Sequence, residues 1–455
     1  MNGRVIGYLR RSFIRHLVSP YGIALVPSCL FLFAWLLPPG VYTRYIHEPD
    51  FLYRNMKVLV FFAFCVIAFL VGVRVTGSTG SQNQASAPPK IHIRGGASLT
   101  YLLVPLVLAG ILCLIYAVLL AGSTNFIALL LSRRGAVVKQ AITGGPASGY
   151  WGSTLFLLTG VLWWAAYRSR QLELRRNSRA IFYTGFLACF AIDVVTCLAT
   201  FDRTNLMPLL AGSTLIYLFF KTRGVRVKLA KLVGSGLASG LAITGAFVGL
   251  QFARGASQLD SITATILGYT ISSFNRLAAL ILGVAHYVYQ GRGGYLVAFL
   301  TENERFHAVR EQMGLPNSYQ IWLAEFPALQ MSGLNSSYNW AGVFGYLYSD
   351  IGWWTPLYLF AVGLIAGWLW NRFRAGGIFG IVLYPWMAFW ILFWFGWNLL
   401  LDARGVVLIE SVLLLLIYDK LHLLPVHRVN FPVALGKSSW DLFRPVVGVG
   451  RDEIR

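Results

Sequence analysis

The sequence predicts an all-α polytopic membrane protein of about ten transmembrane helices with one large outer loop that itself carries amphipathic helices. Three observations point there. Apolar residues make up 57% of the 455 residues and charged residues only 12%, against about 25% charged in a soluble domain, so the chain cannot cover a water-facing surface. The apolar residues fall in continuous runs of roughly twenty, the length that crosses a hydrocarbon core of about 30 Å. The runs do not alternate, which favours helices over barrel strands.

The runs place helices near 21–38, 56–75, 99–121, 149–166, 180–198, 205–220, 230–252, 352–370, 378–400 and 406–418. Together they form a single membrane domain over 1–455. The basic residues fix a direction, because lysine and arginine collect in cytoplasmic loops. One side holds the basic N-terminus, Arg74 with Lys90 and Arg94, the run Arg168 to Arg179, the run Lys221 to Lys231, Arg372 with Arg374, and the tail. An even number of spans then puts both termini in the cytoplasm. The first apolar run shows no small-residue cleavage site and reads as a retained span. The net charge of +21 sits in short loops, where anchoring to anionic lipid accounts for it without nucleic acid. The five cysteines lie inside apolar runs without metal-ligand spacing and read as small buried hydrophobes. Segment 76–97 has the composition of a flexible cytoplasmic linker, and 425–455 is a polar, basic tail.

Two outer segments break the pattern. Segment 123–148 carries Arg133, Arg134 and Lys139 among apolar residues, as an interfacial amphipathic piece does. Segment 253–345, about 90 residues long, is the one long loop, and loops of that length carry function or are disordered. Its aromatic residues, among them Phe274, Tyr295, Trp322 and Trp340, argue for order. Helical periodicity shows around 271–285 and 295–309.

Arginines on the outer side run against the charge rule, so each needs a reason. Arg203, in the short turn Asp202-Arg203-Thr204-Asn205, reads either as a bidentate phosphate ligand or as half of a local pair with Asp202. Arg404, in Asp402-Ala403-Arg404-Gly405, reads as a second such ligand or as a side chain reaching the interface. Arg276 follows an aromatic, hydroxyl-rich stretch of the long loop. Asp193 and Glu410 lie within apolar runs, where acids are costly and are either paired or functional. Asp350 stands before the span at 352–370, where an acid also complements a helix N-terminus. His286, beside Tyr287 and Tyr289, is a potential base or a packed residue of an aromatic helix. Glu302 and Glu304, in Thr-Glu-Asn-Glu-Arg, are candidate bases or, as charge runs usually are, a solvated face. Nucleotide-binding loops, zinc-protease motifs and nucleophile elbows are missing from the sequence.

The long outer loop, the segment Gly345-Tyr-Leu-Tyr-Ser-Asp350-Ile-Gly352 with Gly363 and Gly367 after it, and Asp202-Arg203 before an apolar run ending at Lys221 together resemble Wzy-type oligosaccharide repeat-unit polymerases, a family related to the O-antigen ligases. The resemblance implies a metal- and cofactor-independent glycosyltransferase of the GT-C-like class in the bacterial inner membrane. It would join undecaprenyl-pyrophosphate-linked donor and acceptor oligosaccharides on the periplasmic side, among membrane lipids and with a chain-length regulator protein as a partner. With it go pyrophosphate for Arg203, Arg276 and Arg404, acceptor orientation or shaping of the site for His286 and Asp350, and further substrate contacts for Arg133, Arg134, Tyr287 and Arg292. Ligation of glycan to lipid A core and transport of lipid-linked sugars are the alternatives.

Overall fold

The computed structural model describes residues 16–77, 148–170, 176–199, 203–223, 259–302 and 306–420, with a few isolated positions. Every described element is helical. The described helices are numbered here in chain order: α1 (Pro20–Leu36), α2 (Pro39–Ile46), α3 (Met56–Gly77), α4 (Ser148–Ser169), α5 (Arg176–Ala199), α6 (Arg203–Arg223), α7 (Leu259–Thr270), α8 (Ser272–Ile281), α9 (Ala298–Glu302), α10 (His307–Gln312), α11 (Ser318–Met331), α12 (Gly342–Ile351), α13 (Thr355–Ala375), α14 (Ile378–Leu392) and α15 (Ala403–Lys420).

Among the described residues two tracts are long and apolar enough to cross a membrane, Met56–Gly77 and Gly342–Ala375, and the bent pair α1–α2 makes a third if it counts as one span. Helices α4, α5, α6 and α15 coincide with expected spans. Those at 99–121 and 230–252, the segment with Arg133 and Arg134, most of the linker and the tail lie outside the described residues. Two boundaries differ from expectation. The tract expected to open at 352 begins at Gly342, because α12 and α13 are joined through Gly352, whose φ of 55° suits glycine. The run expected to continue to 400 ends as helix at Leu392. There the chain turns, with Gly396 N–H on the Phe393 carbonyl at 2.8 Å and Val343 N–H on that of Trp394 at 2.9 Å.

Local chemistry sets the ends. Leu37-Pro38-Pro39 cannot continue a helix, so α1 stops and α2 leaves at 98°. Helix α13 closes on Gly376 at φ 76° with Arg372 and Arg374 in its last turn, where cations complement the carbonyl end. Helix α11 opens on a capping box between Asn317 and Gln320.

The core of the bundle is the parallel pair α3 and α13. Gly72, Gly363 and Gly367 face the partner's backbone so closely that a Cβ would strike it: Gly363 meets the Phe69 carbonyl, Gly72 the Phe360 carbonyl, and Gly367 the Thr76 hydroxyl and Val73 backbone. This is the small-residue spacing that lets apolar helices approach. Thr76 and Asn371 add hydrogen bonds across the seam, to the carbonyls of Leu364 at 2.9 Å and Thr76 at 2.7 Å.

Helices α4, α6 and α15 pack around α14 and run in one direction. Along α4, Trp163 meets Leu209 and Gly212 of α6, and Tyr167 stacks on Phe219. On its other flank Gly160 meets Ser411 of α15, and Trp164 meets Tyr418. The segment between Leu259 and Ala341 folds as a helical cap over the end opposite Arg372 and Arg374. Its own core gathers Tyr287, Tyr295, Ile321, Leu329 and Tyr346.

Candidate functional site

Four polar clusters join the cap to the bundle. The first surrounds Arg276, which is fully buried. Its guanidinium lies 3.1 Å from Glu48 Oε2 and 3.4 Å from Oε1, and donates to the carbonyls of Ser272 at 3.0 Å and Asn335 at 2.7 Å. Asn275 and the Asn335 N–H complete the shell of Glu48. A buried charge persists only when paired and hydrogen-bonded, and this one is. The pyrophosphate role expected of Arg276 is therefore replaced by a structural one: it locks α8 and residue 335 to the segment after α2.

The second cluster is the Asp350 cradle. The carboxylate accepts from the backbone N–H groups of Gly293 at 3.1 Å, Tyr295 at 2.8 Å and Leu296 at 2.8 Å. It stands near the end of α12, not at a helix start, and its oxygens are taken up in shaping 291–297. Asp350 is thus a positioning residue for the cap. Nearby, His286 is exposed, and Arg292 is exposed with its guanidinium carbon 5.6 Å from the Tyr289 ring centre.

The third is a buried aromatic–carboxyl group. Glu325, 1% exposed, accepts from Tyr295 Oη at 2.8 Å and Asn339 Nδ2 at 3.3 Å. Burial drives its carboxyl well above the usual range and outweighs those donors. Tyr287, expected at the substrate, is buried in the same group with its ring stacked near Tyr346 and its hydroxyl without a partner. Tyr295 ties the clusters together: its N–H meets Asp350, its hydroxyl Glu325, and its carbonyl Asn398 at 3.2 Å.

The fourth cluster can do chemistry. Glu302, at the end of α9, reaches the start of α15. Its Oε1 accepts from Trp397 Nε1 at 3.1 Å and its Oε2 from the Ala403 N–H at 3.4 Å. Asp402 is buried and caps α15, accepting from the N–H groups of Arg404 and Gly405, while its other oxygen lies 2.8 Å from Arg404 Nη1. The Arg404 guanidinium remains 26% exposed and lies over the Phe156 ring. Asp402 thus holds the guanidinium, and Glu302 lies within the field of both. Burial and the Asp402 charge push Glu302 up to about 7, against the opposing pull of Arg404. Burial also raises Asp402. The result is a group that exchanges a proton near neutrality beside a reachable cation, which suits general acid–base work. In the sequence Glu302 reads as part of a solvated charge run; nothing local reveals a partner 95 residues away.

Arg203 opens α6. Counting back from the Trp163–Gly212 contact at 1.5 Å per residue places it about 13 Å along the axis, and Phe156, under Arg404, about 10 Å along. The two arginines therefore begin parallel helices within about one turn of each other in height, on different flanks of α4. Asp193, the acid within an apolar run, is buried and accepts from Thr159 at 2.8 Å. Among the described residues no group of three or more His, Cys, Asp or Glu could hold a metal ion. No protein-family model, curated protein or solved structure matches this chain.

Proposed function

We propose that this chain is a polytopic membrane glycosyltransferase that polymerises undecaprenyl-pyrophosphate-linked oligosaccharide repeat units, with ten spans, cytoplasmic termini and a periplasmic cap. The observation that carries the reading is the Glu302–Asp402–Arg404 unit at the seam between cap and bundle, level with the start of α6 at Arg203. In the reaction the acceptor hydroxyl attacks the anomeric carbon of the donor chain, and the bond to the lipid diphosphate breaks. Glu302 takes the proton of the attacking hydroxyl. The electron pair of the broken bond leaves on the diphosphate, where Arg404 and Arg203 offset the developing charge. Arg276 has no part in this, and Asp350 holds the cap in place.

Chain length of the surface glycan in the native host tests the reading. Glu302→Gln, which keeps the side-chain shape and one oxygen acceptor for Trp397 Nε1 or the Ala403 N–H, is expected to lower polymer formation by about 10²–10⁴-fold, the usual contribution of a general base. Single repeat units would remain on the final acceptor, at unchanged protein level in the membrane. Long chains accumulating on undecaprenyl would identify a ligase. Single lipid-linked units retained inside would identify a transporter. Either pattern replaces the polymerase reading.

A further inference from the structure

The cap loop 282–292 exposes apolar side chains where water would disfavour them, among them Leu282, Val284 and Val288, the last 59% exposed. Two contacts give its height. Lys57, in the first turn of α3, donates from Nζ to the Ile281 carbonyl at 3.1 Å. The Gly291 N–H meets the Ser349 carbonyl at 2.9 Å, three residues before Gly352-Trp353-Trp354, which opens α13. Trp354 is 71% exposed and Trp353 51%. The loop therefore sits level with the outer ends of the two tracts long and apolar enough to cross a membrane, where hydrocarbon meets headgroups and tryptophan collects. The cations at this rim are uncommitted to acids: Lys57 and Arg292 are exposed, and neither makes an ion pair among the described residues. Of the acids around this rim, Glu48 is spent on Arg276 and Asp350, next to Arg292, on the N–H groups of Gly293, Tyr295 and Leu296.

We propose that loop 282–292 is seated in the outer headgroup layer, and that Lys57 and Arg292 above Trp353 and Trp354 receive the phosphate of an anionic glycerophospholipid. Val284 and Val288 dip among the first acyl carbons, and the two cations meet the phosphate above them. The inference rests on α3 and α13 being spans and is independent of the glycosyltransferase reading. One consequence is that the cap is fastened to the membrane as well as to the bundle, so the lipid composition of the leaflet bears on how it sits.

The full-length protein in lipid nanodiscs tests this, with the native cysteines replaced and an environment-sensitive dye on Val288→Cys or, as the membrane reference, Met56→Cys. Lipids spin-labelled near the headgroup are expected to quench both labels similarly, with both shielded from iodide. Brominated phosphatidylglycerol is expected to quench the Val288 label more than brominated phosphatidylcholine, by about fivefold for each cation engaged. The K57Q/R292Q double variant should bring the two lipids level. A Val288 label that iodide quenches like free dye, while lipid quenchers leave it untouched, overturns the seating. Equal quenching by the two brominated lipids overturns the phosphate site.

Discussion

Glu48→Ala is expected to destabilise the protein by about 3–5 kcal/mol, because it strands a fully buried guanidinium. Arg276 would keep the carbonyls of Ser272 and Asn335 but lose the counter-charge that offsets its desolvation. The cap should loosen before the bundle, since Glu48 also receives Asn275 and the Asn335 N–H. Protease sensitivity within 259–341, measured alongside thermal unfolding in detergent, reads both effects. The double variant Glu48→Leu/Arg276→Met removes both charges and should recover most of the lost stability, as apolar replacements of buried pairs commonly do. If Glu48→Ala leaves stability and protease resistance unchanged, the pair does not fasten the cap. If Arg276→Met alone matches the wild type, the charge there is unneeded.

Gly363→Leu is expected to have the other large effect. The Phe69 carbonyl occupies the place of the new Cβ, and Gly72 lies against it, so α3 and α13 must separate along their whole seam. Separation would also pull Thr76 from the Leu364 carbonyl and Asn371 from that of Thr76. Overpacking costs typically 1–3 kcal/mol, and backbone that cannot give way places this site at or above the top of that range. Little folded protein should reach the membrane. Gly363→Ala should lie between, and a lipid-facing control such as Phe64→Leu, on an exposed position of α3, should be neutral. Wild-type yield and melting temperature for Gly363→Leu would mean the seam is not as close as described.

The sequence carried the helical class and most helix positions, because a continuous apolar run has few other solutions. It also marked Gly363 and Gly367, though only within a family resemblance and without Gly72, which faces them. Boundaries were legible only where a local signal exists, as at Leu37-Pro38-Pro39. The end of α14 at Leu392 was hidden: Trp394, Leu399 and Leu400 are apolar because they are buried against protein, and hydropathy does not separate that from lipid. The site divided along the same line. Arg404 was singled out in the turn that also holds Asp402, but as a phosphate ligand or an interfacial side chain and not as its partner. Arg276 was singled out, but its partner Glu48 lies 228 residues earlier, so a structural pair looked like a free cation. Glu302 stood among the candidate bases but was set aside for the converse reason: its immediate neighbours are charged, while Trp397 and Asp402 give it a different setting.

The most direct measurement of the central claim is the pH–rate profile of polymer formation by purified protein reconstituted with a lipid-diphosphate-linked repeat unit. A base held near 7 acts when deprotonated, so the rate should fall as pH drops below about 7 and level off above it. Glu302→Gln should lose that limb together with most of the rate, while still unfolding in one cooperative melting transition at neutral pH. A Glu302→Gln protein that polymerises at the wild-type rate with the same acidic limb would contradict the account.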